Sequence, residues 1–211
     1  MMLDKFAQLN RFFYILLIFM VLLFSCNNRD STEKISLSQN KSRMTNIEFS
    51  DVTTDAGLGN FIHDNGSFGK MWFPEQMGSG GGFIDYNNDG WLDILLIGGG
   101  AWKNYTKRNI KTLWLYKNNA DGTFANVTDE SGLGNISTYG LGVAAADYDN
   151  DGDQDIFITT LDRNILLNNN EGYFVNVSKK AGLGNRIEWS SSAIFFDADN
   201  DGWLDLYVGN Y

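Results

Sequence analysis

Asp147-Tyr148-Asp149-Asn150-Asp151-Gly152-Asp153-Gln154-Asp155 is the stretch that decides how this chain folds. The pattern Asp-x-[Asp/Asn]-x-Asp-Gly-x-x-Asp also runs as Asp85-Tyr86-Asn87-Asn88-Asp89-Gly90-Trp91-Leu92-Asp93 and as Asp197-Ala198-Asp199-Asn200-Asp201-Gly202-Trp203-Leu204-Asp205. Each copy sets an acid or amide at positions 1, 3, 5 and 9, with Gly at position 6. A short loop of this kind can wrap oxygens around a hard cation, and Ca²⁺ takes such a donor set. Gly at position 6 permits the sharp turn that lets position 7 offer its backbone carbonyl. The expected ligand sets are Asp85, Asn87, Asp89, Trp91 and Asp93; Asp147, Asp149, Asp151, Asp153 and Asp155; and Asp197, Asp199, Asp201, Trp203 and Asp205, position 7 serving through its main chain. About three structural Ca²⁺ ions follow. The competing reading is three Asx-type turns without metal. Against it stands the mutual repulsion of carboxylates crowded into nine residues.

An EF-hand is excluded, because it needs a bidentate Glu at position 12 between two helices. Position 12 here is Leu96, Ile158 or Val208, and the last acid comes at position 9. The flanks are short apolar, β-branched and aromatic runs: Gly82-Phe83-Ile84 before the first loop, Ile94-Leu95-Leu96-Ile97 after it, and similar runs around the others. They read as buried strands, so each loop is expected at the tip of a β-hairpin.

A second motif recurs out of phase with the first. Phe49-x-Asp51-Val52-Thr53-x-x-Ala56-Gly57-Leu58-Gly59 returns from Phe124 to Gly134 and from Phe174 to Gly184. Apolar runs at Leu113–Tyr116 and Ile165–Leu167 precede the later copies. Each unit thus reads strand, loop, strand, strand, turn, strand, which is the four-stranded antiparallel blade of a β-propeller. Blade one is expected over about 80–128 and blade two over about 140–178. Gly134 to Asp147 and Gly184 to Asp197 each span 13 residues, whereas Gly59 to Asp85 spans 26. The first unit therefore carries an insertion, within 60–79, which holds the only His (His63) and the only Pro (Pro74).

The loops and the Phe-x-[Asp/Asn]-Val-Thr strands ending in Gly-Leu-Gly resemble those of FG-GAP/VCBS repeat proteins. More narrowly, Phe61-Ile62-His63-Asp64-Asn65-Gly66 and Pro74-Glu75-Gln76-Met77-Gly78-Ser79-Gly80 are similar to the bacterial branch related to cartilage acidic protein, which often carries an ASPIC/UnbV domain. The resemblance covers roughly residues 46–211. It implies an all-β fold, a partial integrin-type β-propeller of calcium-loop blades. A propeller typically closes with about 4–8 blades, and this pattern reaches two strands of a third blade at Tyr211. The chain is therefore expected to be the N-terminal part of a longer protein. Phe49–Thr53 is expected to be an outer strand that closes the ring against a last blade not in this stretch.

The front of the chain carries an address. Lys5 and Arg11 precede an apolar core from Phe12 to Phe24, which suits a signal peptide over 1–25 and is too short to span a bilayer. Leu23-Phe24-Ser25-Cys26 resembles a bacterial lipobox, which makes Cys26 the site of lipidation. An ordinary secretory signal and a plain membrane anchor are the alternatives. Residues 26–45 are polar and read as a flexible tether, followed by the propeller repeats over 46–211. Cys26 is the only cysteine, so no intramolecular disulfide forms. The expected location is extracytoplasmic, on an outer-membrane lipoprotein facing the periplasm or the cell surface.

The chain has 26 acidic and 16 basic residues, a formal net charge of −10. That argues against nucleic acid as a partner. Eleven of the acids are expected ligands, and three divalent ions would cancel six of the ten excess charges. With one His and no Cys beyond Cys26, no catalytic constellation stands out. No Gly-x-Ser-x-Gly elbow or phosphate loop is present. His63, Asp64 and Glu75 either line a ligand-binding propeller mouth or, for His63, cap a turn or pack between blades. The six Trp invite a carbohydrate-stacking role, against which Trp91 and Trp203 recur at one loop position, as structural residues do. The expected function is a non-enzymatic binding or adhesion module for a protein or glycan ligand, held to the membrane by a lipid anchor. The alternative is the non-catalytic propeller part of a larger secreted enzyme acting on polysaccharide or lipid.

Overall fold

A computed structural model describes residues 48–65, 69, 71–100 and 111–211. The expected signal peptide, Cys26, the tether and Trp102 lie outside the described residues. The compact unit over 50–211 is all-β. Strands β1 (Gly81–Ile84), β2 (Asp93–Ile97), β3 (Leu113–Asn118) and β4 (Phe124–Asn126) form one sheet in that order. Strands β5 (Gly140–Ala146), β6 (Asp155–Thr160), β7 (Ile165–Asn170) and β8 (Tyr173–Asn176) form a second, and β9 (Ser190–Phe196) pairs with β10 (Asp205–Asn210). Every pairing is antiparallel. These are two complete four-stranded blades and the first hairpin of a third. Each nine-residue loop joins the first two strands of its sheet, and its last Asp pairs in register with the residue just ahead of the loop: Ile84 with Asp93, Ala146 with Asp155, Phe196 with Asp205.

Alternation along the second strands sets how the blades stack. Asp93, Leu95 and Ile97 of β2 are buried, while Ile94 and Leu96 are half-exposed. In β6 all six residues are buried, because both faces are covered. Ile156 and Ile158 join Ile84, Leu95 and Ile97 of the first blade in one core. Phe157, on the opposite face, meets Phe195 of β9 with ring centroids 6.5 Å apart. Strand β5 packs between β1 and β9, so the first strands of the sheets converge. Small residues make that approach: a Cβ on Gly80 would lie 2.9 Å from the Gly142 Cα, and one on Gly142 would lie 3.0 Å from the Ser191 carbonyl oxygen.

The Phe-x-Asn-Val-[Thr/Ser] motif forms the outer strand and the turn that leads to the next blade. Thr128 Oγ1 donates to Asn126 Oδ1 (2.7 Å) and accepts from Leu115 N (2.9 Å), so a hydroxyl extends the ladder where the strand ends. Ser178 repeats both bonds with Asn176 (2.7 Å) and Leu166 N (2.9 Å). The turn then closes through Ser131 N to Val127 O and Ala181 N to Val177 O, each 2.9 Å. Gly132 and Gly182 follow with φ of 84° and 78°, the left-handed region that side chains disfavour. Leu133, next in line, is fully buried in the core between β3 and the outer half of the second blade.

The first copy of this motif differs from the other two. Its turn forms, with Ala56 N donating to Val52 O at 2.7 Å. Residues 48–52, however, are not a strand. A strand exists only through its ladder, and β4 and β8 have β3 and β7 beside them, whereas 48–52 meet no such neighbour among the described residues. The turn does bind forward: Phe124 N donates to Ala56 O (2.8 Å), just as Phe174 N donates to Ser131 O (2.9 Å). The insertion makes a 3₁₀ turn at Phe73–Gln76 opened by Pro74, and Tyr139 Oη donates to the carbonyls of Asn65 (2.5 Å) and Pro74 (3.0 Å). Among the described residues there is no α-helix, and no helix is long and apolar enough to cross a membrane.

Candidate metal centre

The three loops share one backbone frame. At position 1 both carboxylate oxygens are held by main-chain amides: Asp147 Oδ1 accepts from Asp151 N (3.1 Å) and Oδ2 from Gly152 N (2.9 Å). Asp85 is held by Asp89 N (3.0 Å) and Gly90 N (2.9 Å), and Asp197 by Asp201 N (3.1 Å) and Gly202 N (2.9 Å). Position 5 accepts from the amide of position 7: Trp91 to Asp89 (3.0 Å), Asp153 to Asp151 (2.9 Å), Trp203 to Asp201 (2.8 Å). Position 9 reaches back under the loop, its Oδ2 accepting from position 2 at 3.2, 3.1 and 3.0 Å. Gly90, Gly152 and Gly202 have φ of 85°, 97° and 90° with open space where a Cβ would stand, so conformation rather than room demands glycine there.

Two acid clusters result. One carboxylate oxygen from each of Asp147, Asp149 and Asp151 lies within 4.8 Å of the others, and the same holds for Asp197, Asp199 and Asp205. In the second loop Asp149 Oδ1 is buried with no hydrogen-bond partner, while its Oδ2 accepts from Asn168 Nδ2 at 3.0 Å. Burial, then the charges of Asp151 and Asp147, push the Asp149 carboxyl above its ordinary range. Asp155 is pushed up to about 6, chiefly by burial, although Asn169 N (2.8 Å) and Tyr148 N (3.1 Å) hold its charge. Asp93 is raised for the same first reason, with Asn118 N donating to its Oδ1 at 2.7 Å.

Three carboxylates of the second loop and three of the third thus come together, whereas Asp155 and Asp201 stand outside those groups and, among the described residues, the first loop forms no such trio. The side chains at position 7 turn away from the clusters. Trp91 and Trp203 are exposed, and the Asp153 carboxylate accepts from Asn88 Nδ2 (2.7 Å) and Glu171 N (2.8 Å). The first loop has Asn87 at position 3, and its Nδ2 donates to Asp89 Oδ2 at 3.0 Å. Of the His63, Asp64, Glu75 group, Asp64 and Glu75 both lend charge to the Tyr139 hydroxyl. His63 is exposed rather than packed between blades, and Glu75 Oε2 accepts from Met71 N (3.2 Å).

One role had escaped sequence reasoning. The Asn at position 4 adopts positive φ in all three loops: 54° at Asn88, 57° at Asn150 and 62° at Asn200. From there Asn88 Nδ2 donates to Gly152 O (3.1 Å) and Asn150 Nδ2 to Gly202 O (3.3 Å). The first loop is thus tied to the second, and the second to the third, through the carbonyl of the glycine at position 6. The signal was present as three Asn at one position that needs no ligand.

Residues 85–158 match the family model of the FG-GAP-like repeat. The match begins at the first residue of loop one and ends within β6, so it takes in two loops and the rest of the sheet between them. Comparison with curated proteins returns no match.

Proposed function

We propose that this chain is the calcium-stabilised, surface-exposed binding or adhesion module of a bacterial lipoprotein, anchored outside the cytoplasm through Cys26 and presenting its propeller face to a protein or glycan. The observation that carries the calcium reading is the buried, unpartnered Asp149 Oδ1 beside Asp147 and Asp151. An orphaned carboxylate oxygen among like charges is costly. The donors are all oxygen, which suits a hard cation and no thiolate or imidazole metal. When bound, Ca²⁺ neutralises the loop carboxylates. Asp147, Asp149, Asp151 and Asp155 would hold it, the backbone amides keep the Asp147 and Asp151 oxygens aimed, and Asn168 orients Asp149. Loops of modest affinity suit an extracytoplasmic setting, where Ca²⁺ is plentiful. The binding role is supported by the FG-GAP-like match over 85–158.

The test is calcium calorimetry on the full chain with melting followed in Ca²⁺ and in EDTA. Calcium at about a hundredfold over Kd should add about 2.7 kcal/mol per site. Asp147→Asn with Asp149→Asn should remove one site and its share of that increment. An unchanged stoichiometry in this double variant overturns the ligand assignment.

A further inference from the structure

The three loops are not equivalent, and the first carries a cation of its own. Strand register fixes the comparison: Ile94 pairs with Tyr116 and Ile156 with Leu167, so Lys117 and Asn168 stand at the same place on their third strands. In the second blade Asn168 Nδ2 donates to Asp149 Oδ2 (3.0 Å) and Asp155 Oδ1 (3.2 Å), a neutral prop that leaves Asp149 Oδ1 open. In the first blade Lys117 Nζ stands 3.3 Å from Asp89 Oδ2, the same oxygen that takes the Asn87 amide. Two differences thus work in one direction. Position 3 has lost its negative charge, Asn87 for Asp149, and the third strand has gained a positive one, Lys117 for Asn168. Among the described residues, no acid of the second or third loop forms an ion pair.

We propose that Lys117 is the tethered counter-ion of the first loop, holding Asp89 in place without metal and weakening that loop for Ca²⁺, so that calcium acts on the second and third loops. This rests on the calcium reading of the loops. An ammonium beside a ligand oxygen lowers the negative potential that draws a divalent ion, and it has to be displaced before that oxygen can coordinate. Calcium affinity in such loops follows the count of charged ligands. The first loop offers Asp85, Asp89 and Asp93 against an ammonium. The second offers Asp147, Asp149, Asp151 and Asp155 against none. The first blade is therefore folded in the absence of calcium, and sensitivity to the ion begins at the second.

The experiment uses Ca²⁺ itself and the full chain. Loop one is isolated by disabling the others with Asp147→Asn, Asp149→Asn, Asp197→Asn and Asp199→Asn. Loop two is isolated by Asp85→Asn, Asp89→Asn, Asp197→Asn and Asp199→Asn. Loop one alone should bind Ca²⁺ at least about tenfold more weakly than loop two alone, in keeping with its lower ligand charge. Lys117→Asn, the residue that the second blade uses, should close most of that gap and lower the melting temperature in EDTA. Lys117→Arg should preserve the weak affinity, and Asn87→Asp should raise it independently. Equal affinities of the two isolated loops, or a Lys117→Asn effect below about threefold while loop two binds, overturns the proposal. Absence of binding at loop two overturns the calcium reading itself, and a Lys117→Asn chain that still melts lower in EDTA would then leave only the ion pair to Asp89.

Discussion

Strands β6 and β10 follow the same loop, with the same register to the strand before them, and end in different surroundings. Asp155 is fully buried and Asp205 is exposed. Phe157 is fully buried, whereas Tyr207, its counterpart, is 65% exposed. Leu133, in the turn that enters the second blade, is fully buried, and Leu183, entering the third, is half-buried. The hairpin itself needs no neighbour: the loop amides that hold Asp147 hold Asp197 at matching distances. What the second blade has in addition is a third and fourth strand and a blade on each face. Loop geometry is thus local, while burial is a property of the array, as in repeat proteins whose units cover one another.

The largest test of that division lies in the turns. Leu133→Ala empties a site walled by two blades and should cost about 2–5 kcal/mol in urea unfolding. Leu183→Ala should cost less than about 1 kcal/mol, since half of its side chain meets solvent already. Equal losses would mean that the third hairpin is as well covered as the second blade, and the distinction would fall.

The same division explains what could be read from the chain alone. Blade order and hairpin tips followed from the Asp spacing and from alternation, because each is set within about ten residues. The exception at 48–52 is instructive. Phe49-Ser50-Asp51-Val52-Thr53 has the composition of β4 and β8, and Asp51 Oδ1 accepts from Thr53 N at 3.0 Å as Asn126 does from Thr128. The local turn is present, and the strand has no partner among the described residues, because strand pairing depends on a neighbour that the motif does not encode. Lys117 and Asn168 were illegible for a related reason. They reach the loops from strands some twenty residues downstream, and only register brings them there.

A middle-sized effect separates the two acids at position 9. In EDTA, Asp155→Ala strands Asn169 N and Tyr148 N in a buried site, and should cost about 1–3 kcal/mol. Asp205→Ala leaves only Ala198 N without its acceptor at an exposed position, and should cost less than about 1 kcal/mol. The pH profile carries a sign as well. Folded Asp155 takes a proton at about 6, whereas an unfolded Asp does so near about 3.9. The folded form thus binds the proton more tightly. Metal-free stability from this group is fully present below about 4 and is lost as pH rises through about 6. Melting in EDTA should therefore rise on acidification from pH 7 to pH 5, and Asp155→Ala should remove that rise. In Ca²⁺ the slope should reverse, because protons compete with the ion for the same oxygens. A metal-free chain that loses stability over this range would place the Asp155 carboxylate in a better-solvated site than its burial implies.

The smallest effect concerns the ties between loops. Asn88 makes two bonds to the second loop, to Gly152 O (3.1 Å) and Asp153 Oδ1 (2.7 Å), whereas Asn150 makes one to the third, to Gly202 O (3.3 Å). Both are exposed, so each bond is worth no more than about 0.5–1.5 kcal/mol. Asn88→Ala should cost the more, and Asn88→Gly should recover part of the loss, since a φ of 54° burdens any side chain. Asn150→Ala should fall within about 0.5 kcal/mol of the parent. A double-variant cycle of Asn88→Ala with Asp153→Ala isolates the side-chain bond from the carbonyl bond, because the Gly152 carbonyl survives in both. A coupling energy near zero would leave the loops joined through the main chain alone. A clear coupling would make the carboxylate of Asp153, the one acid at position 7, the tie of the second loop to the first.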